Sequence, residues 1–173
     1  MILVRLLFFL MAGVAISASA ESDNRSTYII TKISDGDTLL AGSKRLRLFG
    51  IDAPELEQAC KNNYGHRYAC GEVAKTALKE LISNGNTLSC NVVDVDRYRR
   101  LVARCFSDDI DLSKWLVKKG LAIAYLAYSE EYYEAEIEAR KERRGMWSGS
   151  FMEPSKWRRA KRSNTLPENQ VIR

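Results

Sequence analysis

Alternating apolar and polar positions mark the first ordered part of the chain. TYIITKI at 27–33 reads as a strand, a second falls at Thr38–Leu40, and KRLRLFGI at 44–51 gives a third. A polar stretch follows, APELEQACKNNYGHRYACG at 53–71, long enough to suggest a functional loop. The period then becomes helical. Val73, Ala74, Ala77, Leu78, Leu81 and Ile82 share one face, and Gly85 closes the helix. TLSCNVVDVDRYRRLVARCF at 87–106 predicts two strands joined by a turn near Arg97-Tyr98. DLSKWLVKKG predicts a short helix burying Leu112, Trp115 and Leu116, and LAIAYLAY at 121–128 an apolar connector. A last helix is expected from Ser129, an N-cap residue followed by Glu130 and Glu131, to the cations before Gly145. Trp147 is expected to dock on the core. Beyond about Trp157 the chain is polar and basic without periodicity, which predicts a loose tail.

This order, with five short strands interrupted by a helix after the third, is that of a five-stranded OB-type barrel with three helices. The fold class is α+β, mainly β, in one domain over 21–157 with a basic tail at 158–173. No internal repeat is visible.

The N-terminal MILVRLLFFLMAGVAISASA changes the setting. One arginine, an apolar run and a small-residue Ala18-Ser19-Ala20 end predict a secretory signal over 1–20, cleaved before Glu21. The alternative is an uncleaved anchor, for which the apolar run is short. The expected location is therefore secreted or periplasmic, without lasting membrane association. The chain is net +5, unevenly spread: 21–139 is net −3 and 140–173 net +7. A basic end attracts polyanions, but on charge alone a solvated tail is the favoured reading.

Four cysteines, Cys60, Cys70, Cys90 and Cys105, suit disulfides in an exported chain. A hairpin symmetric about its turn sets Cys90 opposite Cys105, within disulfide reach, and leaves Cys60 to close the intervening loop with Cys70. A four-thiol zinc site is disfavoured, since there is no C-x-x-C pair and only one histidine.

That histidine, His66, lies among polar residues with no nucleophile arrangement around it, which argues against a serine-type hydrolase. The carboxylates say more. Asp35-Gly36-Asp37-Thr38 precedes one strand and Asp52-Ala53-Pro54-Glu55 ends the next. A hairpin turning near Gly42-Ser43 brings Asp37 to within about a residue of Arg47. Two carboxylates and a carbonyl suit a hard cation. Arginines nearby suit a phosphodiester whose charge grows during reaction, and Arg100 of DRYRR could reach the same place. Each piece alone has a plain structural explanation: Asp-Gly is a common turn, and basic hairpin tips are usually solvated.

Together, SDGDT, RLFGIDAPE, DRYRRLVAR, LVKKGLA and RRGMW resemble the staphylococcal, or micrococcal, nuclease family over roughly residues 27–148. The resemblance implies an OB barrel and calcium-dependent hydrolysis of DNA and RNA by an endonuclease, leaving 3′-phosphate ends. A monomer is expected, and single strands should be preferred, because the phosphate must enter a pocket and bases can stack on tyrosine. It implies that Asp37, Asp52 and the Ala53 carbonyl hold Ca2+, although many members have threonine at the place of Ala53. Glu55 then orients or deprotonates water, and Arg47 and Arg100 clamp phosphate. Arg97, Tyr98, Tyr125 and Tyr128 face substrate. The cysteines and the 56–70 loop depart from the family's type member. The rival expectation is a non-catalytic exported OB module binding oligonucleotide or polysaccharide.

Overall fold

A computed structural model describes residues 25–82 and 85–172. The expected signal segment lies outside the described residues. Eleven strands are short except for one hairpin: β1 Ser26–Ile29, β2 Lys32–Ile33, β3 Thr38–Ala41, β4 Lys44–Leu48, β5 Ile51–Asp52, β6 Ala59–Lys61, β7 Arg67–Ala69, β8 Thr87–Val95, β9 Leu101–Ser107, β10 Ile110–Asp111 and β11 Ile123–Ala124. The helices are α1 Cys70–Leu81, α2 Leu112–Lys118, α3 Tyr133–Lys141 and α4 Pro154–Arg162.

The main sheet runs β1-β8-β9-β4-β3-β2, with β10 on β9. The first expected strand is thus two. Its front half pairs with β8 and its back half with β3. The change of partner falls at Ile30 and Thr31, whose amides donate to Asn86 and Leu40 carbonyls. One stretch of chain therefore begins and ends the sheet, which curls on itself as an OB-type barrel does. The parallel pairing of β4 with β9 joins the two hairpins. Leu39, Leu46, Leu48, Leu88, Leu112 and Leu116 fill the interior, each at most 1% exposed, and each such burial contributes about 1.5–3 kcal/mol.

The β8–β9 hairpin sets Cys90 opposite Cys105, and the two form a disulfide with Cα atoms 4.1 Å apart. A bulge between Val92 and Asp94 then shifts the register by one residue. Cys60 and Cys70 form the second disulfide. The polar loop between them is a small hairpin, β6 on β7, with His66 exposed at its turn.

Three further expectations change. The last barrel-side helix starts at Tyr133 rather than Ser129, because Ser129 Oγ accepts from the Glu131 amide in a separate turn and Tyr132 is buried. Met146, at 1% exposure, takes the core position expected of Trp147, which packs half-buried and edge-on against Phe151. A fourth helix, α4, occupies 154–162, where a loose tail was expected from about Trp157. Proline starts it, Trp157 is 2% exposed, and its Nε1 donates to the Gln170 carbonyl.

Candidate active site

Two acidic segments are pressed against α1. A Cβ on Gly36 would lie 2.8 Å from Ala53 Cβ and 2.9 Å from Ala74 Cβ. A Cβ on Gly71 would lie 2.0 Å from the Glu55 carbonyl oxygen. Only glycine permits such approaches, so the Asp35–Asp37 bend and the Asp52–Glu55 strand exit are fixed to one helix. Gln58, fully buried, completes the clamp. Its Oε1 accepts from the Glu55 amide and its Nε2 donates to the Met152 carbonyl.

The β3–β4 hairpin turns at Gly42-Ser43 and pairs Thr38 with Arg47, one residue from the expected Asp37. Arg47 reaches both acidic segments. Its Nη1 donates to Asp37 Oδ1 at 2.9 Å and its Nη2 to Asp52 Oδ1 at 3.2 Å. The other Asp37 oxygen accepts from the Ala53 amide at 3.2 Å. Asp37 is 4% exposed and Asp52 fully buried.

Arg100 arrives from the β8–β9 tip. Asp96 shapes that tip, accepting from the Tyr98 and Arg100 amides through one oxygen and from Arg100 Nε, at 2.7 Å, through the other. Arg100 Nη1 then meets Thr38 Oγ1 at 3.4 Å, and Thr38 Oγ1 donates to Asp37. Arg97 and Arg100 flank the Tyr98 ring at 5.0 and 5.6 Å. The tyrosines of the apolar connector arrive by another route. β11 pairs with β5, setting Ile123 beside Asp52, and the Tyr125 amide donates to the Gly50 carbonyl. Tyr125 and Tyr128 stack with centroids 5.8 Å apart.

All these groups border one cleft of about 820 Å³. Asp37, Arg47, Ala53, Glu55, Arg97, Tyr98, Arg100, Tyr125 and Tyr128 line it, while Asp52 lies just beneath.

Arg158 of α4 was not expected there. Its Nη1 donates to Asp52 Oδ1 and Glu55 Oε1, both at 2.9 Å, and its Nη2 to Asp52 Oδ2 at 3.0 Å. The contact spans over a hundred residues of chain, so no local spacing announces it. Burial opposes the Arg158 charge, but hydrogen bonds and charge from Asp52 and then Glu55 outweigh it and raise the guanidinium pKa further. Burial also pushes the Asp52 carboxyl upward, against the pull of Arg158.

Asp35 accepts from the Asp37 amide and supports the bend. Burial, and then the Asp37 charge, push its carboxyl up to about 6. A carboxyl raised on folding holds its proton more tightly in the native state, so stability falls as pH climbs from about 4 to about 6. Asp35→Asn is therefore expected to raise stability relative to the parent more at about pH 7.5 than at about pH 4. Denaturant titrations at both pH values check this, and equal shifts would count against it.

The donor set fits a hard cation on its chemistry. Two carboxylates lie close enough to share one guanidinium, and the Ala53 backbone adjoins them. Among the described residues no cluster of three or more His, Cys, Asp or Glu side chains could hold a metal, so most other ligands would be carbonyl or water. Arg158 donates to both Asp52 oxygens, so a cation held there would share that carboxylate with it.

The structure thus sets a buried carboxylate pair under an arginine-lined cleft on an OB-type barrel. Sequence comparison places it more narrowly: residues 45–149 match the staphylococcal nuclease homologue family, and the chain belongs to that family. It is 33% identical to an uncharacterized endonuclease of Haemophilus influenzae, over 89% of this chain and 85% of that one. It is 32% identical to a micrococcal nuclease of Shigella flexneri, over 87% and 89% of the two chains. It is also 32% identical to the succinoglycan biosynthesis protein ExoI of Rhizobium meliloti, over 66% of this chain but only 61% of that protein.

Proposed function

We propose that the protein is a calcium-dependent endonuclease that hydrolyses DNA and RNA, prefers single strands and leaves 3′-phosphate ends. The supporting observation is the convergence of Asp37, Arg47, Asp52, Glu55 and Arg100, drawn from three separate segments, on a single cleft. Relatives named as nucleases support the same reading.

Asp37, Asp52 and the Ala53 carbonyl would hold calcium, which when bound supplies Lewis-acid polarisation of a phosphate oxygen. Glu55, a third exposed, can orient or deprotonate a water from the open side of the cleft. Arg47 and Arg100 would place guanidinium charge beside the phosphate, where negative charge grows during bond cleavage. Tyr98, 61% exposed, and the stacked Tyr125 and Tyr128 offer ring faces to unstacked bases, which is why a splayed single strand suits the cleft better than a duplex.

Two disulfides support work in an oxidising compartment, outside the cytoplasm. Among the described residues no helix is long and apolar enough to cross a membrane.

The purified protein should digest heat-denatured DNA in calcium and stop on addition of chelator. Tight binding without digestion would overturn the enzyme reading and leave the binding module.

A further inference from the structure

Helix α4 lies beyond the residues matched to the family, which end at 149. Its two faces differ. Pro154 and Trp157 are buried against the body, and Lys161 pairs with Glu57 beside them. Ser155, Arg158, Arg159 and Arg162, spaced i, i+3, i+4, i+7, line the cleft. Of the three arginines on that face, Arg158 is held by Asp52 and Glu55. Arg159 and Arg162 are exposed, and no ion-pair or hydrogen-bond partner is found for either side chain among the described residues.

This pairing pattern is informative. Of the arginines bordering the cleft, Arg47, Arg100 and Arg158 have carboxylate partners, whereas Arg45, Arg97, Arg159 and Arg162 have none among the described residues. The cleft is bordered by seven arginines and four carboxylates, so it carries excess positive charge, and two uncompensated guanidiniums stand along one wall. A polyanion wider than one phosphate is the occupant that complements this charge.

Resting on the nuclease reading, we propose that the cleft-facing side of α4 is a phosphate-binding rail. Arg159 and Arg162 grip backbone phosphates flanking the one that reacts, so the strand lies along α4 as it crosses the cleft. Arg158 fixes the rail's position through its contacts with Asp52 and Glu55. Contacts of this kind carry no base preference and act through charge.

The test uses the full protein, chelator, and a labelled oligothymidylate of about 16 nucleotides, with affinity followed from about 50 to about 200 mM salt. Gel analysis confirms that the probe stays intact. Each arginine–phosphate contact contributes about 0.7 to the slope of log affinity against log salt for a single strand. The double variant Arg159→Gln with Arg162→Gln is expected to lower the slope by about 1.4, with an unchanged melting temperature. Arg159→Lys with Arg162→Lys should restore most of it. An unchanged slope in the folded glutamine variant overturns the rail. So does a parent protein that does not bind the probe at all. Neither result touches the nuclease reading, which the calcium digestion assay decides separately.

Discussion

Arg47→Ala is expected to lower the rate of DNA hydrolysis about 100- to 1000-fold, and Arg100→Ala to do the same. Both follow from the loss of one preorganised donor to the charge that develops on the phosphate. The two variants should nevertheless differ in stability. Arg47 spans Asp37 and Asp52, which are 4% and 0% exposed. Its removal leaves buried carboxylate oxygens short of a donor, at a cost of about 1–3 kcal/mol. Arg100 sits over Thr38 and is tied to Asp96 at a hairpin tip, so its removal should change the melt little. Arg47→Lys, which keeps the charge but not the fork, should stay well below the parent in rate while recovering part of the stability. Initial rates in calcium, paired with denaturant titrations, check all three. A fall under tenfold for both alanine variants would reject the phosphate-clamp assignment.

Replacing Cys90 and Cys105 together by alanine should cost about 3 kcal/mol of stability. Both cysteines are fully buried in the longest hairpin of the barrel, and the crosslink closes a separation of 15 residues. Its main effect in a chain-entropy account is to restrict the unfolded chain. With a urea slope of about 1–3 kcal/mol/M, the midpoint should drop by about 1 M or more. Reductant acting on the parent should lower the midpoint by at least as much, because it also opens Cys60–Cys70. A loss below about 1 kcal/mol in the double variant would show that the hairpin's packing, not its crosslink, holds it closed.

How far the fold can be read from the chain depends on the range of the interaction. Cys90 opposite Cys105 is legible because a symmetric hairpin leaves little choice of register, and the bulge at Val92 and Asp94 comes only after that pair. The approach of Arg47 to the Asp37 segment is legible for the same reason. The split of 26–33 into β1 and β2 is not, since both halves alternate alike and only the barrel's closure assigns them different partners.

Helix α4 hides behind its composition. It has one large buried apolar side chain, Trp157, so no apolar stripe forms, and its other periodic face is arginine facing a cleft. Arg158 at Asp52 depends on tertiary approach alone. The expected site residues come from local strand and turn patterns, and close packing at Gly36 and Gly71 holds the two acidic segments among them against α1.

The stretch 26–33 that opens and closes the sheet has a further effect. A sheet with two free borders offers rows of unsatisfied amides and carbonyls on which a neighbouring molecule can build fibrils. Here one bent stretch supplies both ends of the main sheet, as a four-residue β1 and a two-residue β2, so neither of those borders is long. Borders this short give a neighbouring molecule little to pair with, before any surface charge comes into play.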